Sequence, residues 1–131
     1  MNYHYYTPTT HIILPADKKI ILVGGCFDIL HLGHIEFLKK AKQAGEYLVV
    51  ALESDERITH FKNRPCVHNQ LERAHILSAL RDVDTIILLP LLQGFDDYLH
   101  VVQAIKPHVI AITGNDPQYD NKQKQAEIVG A

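Results

Sequence analysis

Cysteine is scarce in this chain: Cys26 and Cys66 are the only two among 131 residues. Two thiols cannot frame a disulfide scaffold, and both are expected to stay reduced. No run approaches the ~20 apolar residues of a membrane helix, so no membrane is expected among its partners. The start, Met1-Asn2-Tyr3-His4-Tyr5-Tyr6, is polar and aromatic rather than basic and then apolar. No secretory signal is therefore expected, and a cytoplasmic location is. Charge of one sign is lacking too. A net charge of −2 offers no broad field for nucleic acid or an anionic surface. Nine histidines invite a metal, but no cysteine or carboxylate cluster at metal spacing accompanies them, so no structural metal is expected. No Gly-x-Gly-x-x-Gly follows the first apolar run, which argues against a dinucleotide-dependent oxidoreductase. Repeats and low-complexity linkers are absent as well.

What the chain has is apolar runs alternating with helical patterns. At 47% apolar content it reads as one ordinary domain with a single core. Residues 1–17 are expected to form a loose leader, with His11-Ile12-Ile13-Leu14 resting on the surface, and residues 18–131 the domain. Strands are expected at Ile20–Gly24, Tyr47–Leu52, Thr85–Leu89 and His108–Thr113. Helices are expected at Gly33–Ala44, Asn69–Leu80 and Phe95–Ile105. In the first, Ile35, Leu38 and Ala41 keep helical spacing; in the second, Leu71, Ala74, His75, Leu77 and Leu80 form the inner face. Gly45 and the Lys106-Pro107 step are the stop signals. Nearly continuous apolar strands alternating with helices imply a parallel sheet covered on both faces. The fold class is thus α/β, a doubly wound, Rossmann-like sheet in a single domain. Ligands of such sheets sit beyond the carboxyl ends of the strands. Gly25–His34, Glu53–Asp55 and Gly114–Asp116 all follow strand ends, so they should meet at one crevice.

The most informative segment is Gly25-Cys26-Phe27-Asp28-Ile29-Leu30-His31-Leu32-Gly33-His34. It puts two histidines around a glycine where a strand gives way to a helix. Free N–H groups and the positive dipole end suit a phosphate there. The spacing Gly25-x-Phe27-Asp28-x-x-His31-x-Gly33-His34 resembles the signature of the cytidylyltransferase-like nucleotidyltransferases. Its wording is most similar to the bacterial heptose 1-phosphate adenylyltransferases, and next to the glycerol-3-phosphate cytidylyltransferases. The resemblance runs from about Lys19 to the last residue.

The resemblance implies transfer of AMP or CMP from a nucleoside triphosphate (ATP or CTP) to a sugar phosphate or polyol phosphate, with release of pyrophosphate. Mg²⁺ would bridge the triphosphate oxygens. His31, His34 and Lys62 would be catalytic. Gly24, Gly25, Cys26, Phe27, Asp28, Gly33, Arg73, Gly114, Asn115 and Asp116 would bind the nucleotide. The glycines would let backbone approach phosphate, and Phe27 would pack at the turn. Asp28 either braces the loop or helps hold the nucleotide; the motif favours the second. Arg73 would bridge to bound phosphate or to the loop. Lys62 and Arg64 lie in the expected loop after the second strand and resemble a family lysine and Arg-Pro pair. The attacking phosphate is already ionised, so the lack of a nucleophile triad fits this chemistry. Relatives are often dimers, so a homodimer is open. Relatives also continue past a segment like Glu127–Ala131 into a strand and a serine-threonine loop. The expectation is therefore a domain lacking that segment, and the rival function is a nucleotide-binding domain with little or no turnover.

Overall fold

The computed structural model describes residues 2–131. Strands β1 (Tyr3–Tyr5), β2 (Ile20–Gly25), β3 (Tyr47–Leu52), β4 (Thr85–Leu88) and β5 (Val109–Ile110) form one sheet in the order β1-β4-β3-β2-β5. Every pairing is parallel. Helices α1 (Leu32–Lys42), α2 (Asp55–Lys62), α3 (Gln70–Ser78), α4 (Phe95–Ile105) and α5 (Tyr119–Val129) complete the chain. This is the single α/β domain with a helix-flanked parallel sheet that the alternating runs imply.

Strand side chains alternate between faces with period two. Ile21, Val23, Leu48, Val50, Leu52, Ile86 and Leu88 meet Leu38 and Ala41 of α1 and Ala74 and Leu77 of α3. Ile20, Leu22, Val49, Ala51 and Ile87 meet Val101, Val102 and Ile105 of α4 on the other face. Each of these Leu, Ile and Val side chains contributes ~1.5–3 kcal/mol when fully buried, so sheet and helices hold the strand ends rigidly. The order reverses at β2: β3 and β4 lie to one side, β5 to the other. The crevice between the ends of β2 and β5 is the switch point of the sheet.

Five elements differ from expectation. The segment read as a loose leader supplies β1, which pairs with Ile86–Leu88 as an edge strand. The Asn2 side chain bonds Thr85 Oγ1 at 2.7 Å, and Tyr6 is buried against the second core. Helix α2 was not expected, although Ser54 caps it by accepting from Arg57 N–H at 3.1 Å and Asn63 ends it in the left-handed region. Lys62 is therefore the last residue of a helix rather than part of a loop. Helix α5 was also unforeseen, and β5 is two residues long instead of six. In α3, Leu71 and His75 are exposed while Arg73 is buried, so the inner stripe is rotated from the one read off the apolar residues.

Candidate functional site

The loop after β2 is built around two imidazoles. His31 is the N-cap of α1; its Nδ1 accepts from Gly33 N–H at 3.0 Å. Its own N–H donates to His34 Nδ1 at 3.2 Å. The two histidines thus form the reciprocal cap that Ser and Glu form elsewhere. A ring nitrogen that accepts carries no proton, so each neutral ring has its proton on Nε2. The rings stack, with centroids 3.9 Å apart, and the Phe27 ring stands edge-on to His34 at 5.2 Å. Burial first, then His31 and Lys62, push the His34 pKa down, which favours the neutral form that the cap requires.

His34 lines a cavity of about 220 Å³ together with Gly24, Phe27, Lys62, Thr113 and Asp116. The strand ends of β2 and β5 and the end of α2 therefore meet at one crevice, as the topology demands. Phe27 sits there at φ 52°, a conformation that costs a non-glycine residue energy. Burial of its ring in the first core offsets that cost. The ring lies across Gly25, where an added Cβ would come within 3.0 Å of it. An added Cβ at Gly33 would come within 2.9 Å of the His31 ring. Both glycines make room for side chains of their own loop. Gly24 meets only an ordinary contact and, like Gly25, lines the cavity, so these two present backbone to a ligand and Gly33 does not.

Two charged residues bind the loop itself, which is one of the two roles expected for each: Arg73 bridges to it and Asp28 braces it. Arg73 is fully buried. Its guanidinium donates to the carbonyls of His68, Cys26 and Glu53 at 3.0, 2.9 and 2.9 Å, and to Asp55 Oδ1 at 2.6 Å. Four of the five N–H groups of the fork are used on the protein, so Arg73 positions the ends of β2 and β3. Asp28 accepts from Val67 N–H at 2.7 Å, His68 N–H at 3.0 Å and Arg64 Nη1 at 3.3 Å. Burial alone would raise its pKa, but these donors outweigh it and hold the carboxyl below its usual range. Asp28 thus ties its loop to the segment before α3. Cys26 is buried, and burial pushes its thiol up despite the nearby Lys62 ammonium. It is wall rather than nucleophile.

On the far side, no atom lies within 4 Å of a Cβ added at Gly114, and Asn115 is exposed. Asp116 is engaged within the protein: Oδ1 accepts from Gln118 N–H at 2.7 Å and Oδ2 from Lys122 Nζ at 2.6 Å. Burial works to raise its pKa, and these donors bring it down.

A sequence model of cytidylyltransferase-like proteins matches residues 22–130, which includes this whole crevice. The chain belongs to the cytidylyltransferase-like family. It is 40% identical over 100 residues to the bifunctional protein HldE of Pelobacter propionicus, covering 75% of this chain and 20% of the relative. It is 39% identical over 106 residues to the FAD synthase of Pyrococcus horikoshii, covering 80% of this chain and 69% of the relative. The chain thus spans about a fifth of the first protein and about two thirds of the second. A lipopolysaccharide core biosynthesis protein of Thermoplasma volcanium has a similar crystal structure, with a TM-score of 0.68, 27% identity, and 85% of this chain and 88% of that chain covered.

Within this cytidylyltransferase-like site, the least legible residues line a second cavity of about 270 Å³ beside the first. Glu53, Arg57, Phe61, Tyr98, Lys122 and Gln125 are in its wall. Glu53 Oε2 accepts from Tyr98 Oη at 2.8 Å, and Arg57 Nε is 3.9 Å away. Arg57 stacks on the Phe61 ring at 4.0 Å. The signal for Glu53 was its place directly after an apolar strand; Tyr98 and Lys122 had none.

Proposed function

We propose that this domain is a nucleotidyltransferase that moves AMP or CMP from a nucleoside triphosphate to the phosphate of a phosphorylated sugar or polyol. An acceptor phosphate oxygen attacks the α-phosphorus. The new P–O bond forms as the bond to the β-phosphate bridging oxygen breaks, and pyrophosphate leaves. The observation that carries this reading is the paired histidine cap. Both Nδ1 atoms are spent on backbone N–H groups, which leaves two Nε2–H donors; His34, with Lys62, is in the wall of the 220 Å³ cavity, while His31 caps the same helix from outside that wall. Donors held this way need no reorganisation as charge grows on the α-phosphoryl oxygens. The attacking phosphate is ionised at neutral pH, so the site needs no general base.

Mg²⁺ would arrive on the triphosphate and withdraw charge from it. Among the described residues no group of three or more His, Cys, Asp or Glu could hold a metal ion, and Asp28 is committed to Arg64, Val67 and His68. No residue of this chain is therefore assigned to the ion. Among the described residues no helix is long and apolar enough to cross a membrane. The proposed reactants are small molecules found in cytoplasm, and we place the domain there.

The test is pyrophosphate release with ATP or CTP and a panel of sugar and polyol phosphates. His34→Ala should lower turnover about 100- to 1000-fold, the usual cost of one such donor, while nucleotide affinity falls far less. Nucleotide binding without release for any acceptor would establish the rival, a binding domain without turnover. Near-normal turnover of the variant would remove His34 from the mechanism.

A further inference from the structure

Nucleotidyl transfer needs two phosphates side by side, that of the nucleotide and that of the acceptor, and both are anions. The 220 Å³ crevice and the 270 Å³ basin have one residue in common in their walls, Lys122. A smaller slot of about 110 Å³ beside them has it in its wall too. Lys122 sits in the first turn of α5, where its backbone N–H donates to Gln118 O at 2.9 Å. The side chain is held as well. Its Nζ donates to Asp116 Oδ2 at 2.6 Å, and Asp116 is fixed in turn because Oδ1 accepts from Gln118 N–H at 2.7 Å. An ammonium has three N–H groups. Asp116 takes one, and Nζ makes no other hydrogen bond among the described residues, so two donors remain. Asp116 cancels the charge of Lys122 as felt from a distance. It leaves those two donors in place, and a charge-assisted hydrogen bond acts at contact. The pair therefore offers no long-range field, but it does offer anchored donors at one point.

We propose that Lys122 is a further catalytic residue, which holds the attacking phosphate of the acceptor at the boundary of basin and crevice. This deepens the transferase reading and rests on it. His34 and Lys62 are in the crevice wall and not in the basin wall, and Arg57 is in the basin wall and not in the crevice wall. Each of these serves one side. Lys122 alone is on both, at the place where the two phosphates meet. A donor there holds one acceptor oxygen, offsets the repulsion between the anions and orients the attack on the α-phosphorus. The contact is with the phosphate and not with the rest of the acceptor, so inorganic phosphate is a sufficient probe.

The experiment titrates inorganic phosphate by calorimetry into the full chain saturated with Mg²⁺ and α,β-methylene ATP or its CTP counterpart, which bind without transfer. Lys122→Met should bind phosphate about 10- to 100-fold more weakly than wild type, the scale of hydrogen bonds to a charged group. Lys122→Arg keeps a cation with donors and should keep most of the affinity. Affinity for the nucleotide analogue should be the same in all three proteins. Lys122→Gln can still bond Asp116 but carries no charge; it guards against a folding defect, checked by thermal melts, and should also weaken phosphate. Equal phosphate affinity in wild type and Lys122→Met overturns the proposal, and so does the absence of phosphate binding to wild type. An equal loss of phosphate and analogue affinity overturns it too, because that pattern marks a disturbed crevice rather than a lost contact. If neither analogue binds wild type, the transferase reading fails, and phosphate titrated into the free chain still decides whether Lys122 holds it. Analogue binding with unaltered phosphate affinity in Lys122→Met would refute this inference alone.

Discussion

Arg73 illustrates how one side chain can set a site it never touches. Its four bonds reach the carbonyl of Cys26 on one loop, that of Glu53 on another, the cap region before α3 and the first turn of α2. Replacing it leaves buried carbonyls and Asp55 without partners. Arg73→Met should cost about 3 kcal/mol, mostly from the interior carbonyls it leaves without a donor, since the Asp55 side chain is 40% exposed. In a domain of this size that is a drop in Tm of roughly 10 °C. The expectation is checked by thermal melts, and an unchanged Tm would make Arg73 a dispensable brace. A phosphate contact alone predicts the opposite pattern, with weaker triphosphate affinity and intact stability.

At the scale of the element, α1 begins on titratable groups, which is unusual for a helix cap. Protonating His34 turns Nδ1 from acceptor to donor and breaks its bond to His31 N–H. The folded-state pKa of His34 is lowered, by burial first and by His31 and Lys62 after it. A lowered histidine pKa contributes stability that is present above the unfolded-state value and lost as pH falls through the folded-state value. Tm should therefore decline through this histidine as pH is taken from about 7 to about 5. Glutamine at the same cap position accepts from the backbone without titrating, so His34→Gln should flatten that decline while removing the Nε2–H donor. Equal pH slopes for the two proteins would show that the cap does not report on folding.

For the whole molecule, the first strand matters most. β1 covers the edge of β4 along Ile86–Leu88, and Tyr6 fills the second core. Removing residues 2–6 opens a flat apolar edge, which invites pairing with another chain. The shortened protein should lose at least about 2 kcal/mol from the burial of Tyr6 alone. It should also form larger species on gel filtration than the intact chain does. A monomer with unaltered Tm would return residues 1–17 to the status of a leader.

The sequence by itself determined what depends on neighbours within about ten residues. Apolar runs set three of the strands, and the junction of a run with Gly25–His34 located the crevice, because strand, loop and helix start are contiguous there. The cap also lay within that reach, since His31, Gly33 and His34 meet across one turn. Helix α2 was equally local, and Ser54 with Asn63 marked its ends. The tertiary structure decided the fate of each polar group, because a charge takes its role from the partner it meets. Asp28 became a brace only because Val67 and His68 return to it 39 and 40 residues later. Of the two roles open to Arg73, loop carbonyls up to 47 residues distant decided the bridge to the loop, and Glu53 gained a fixed orientation from Tyr98, 45 residues on. β1 became a strand because β4 offered an unpaired parallel edge more than eighty residues away. Such contacts leave no local period in the sequence, since burial and pairing across the sheet bring them about.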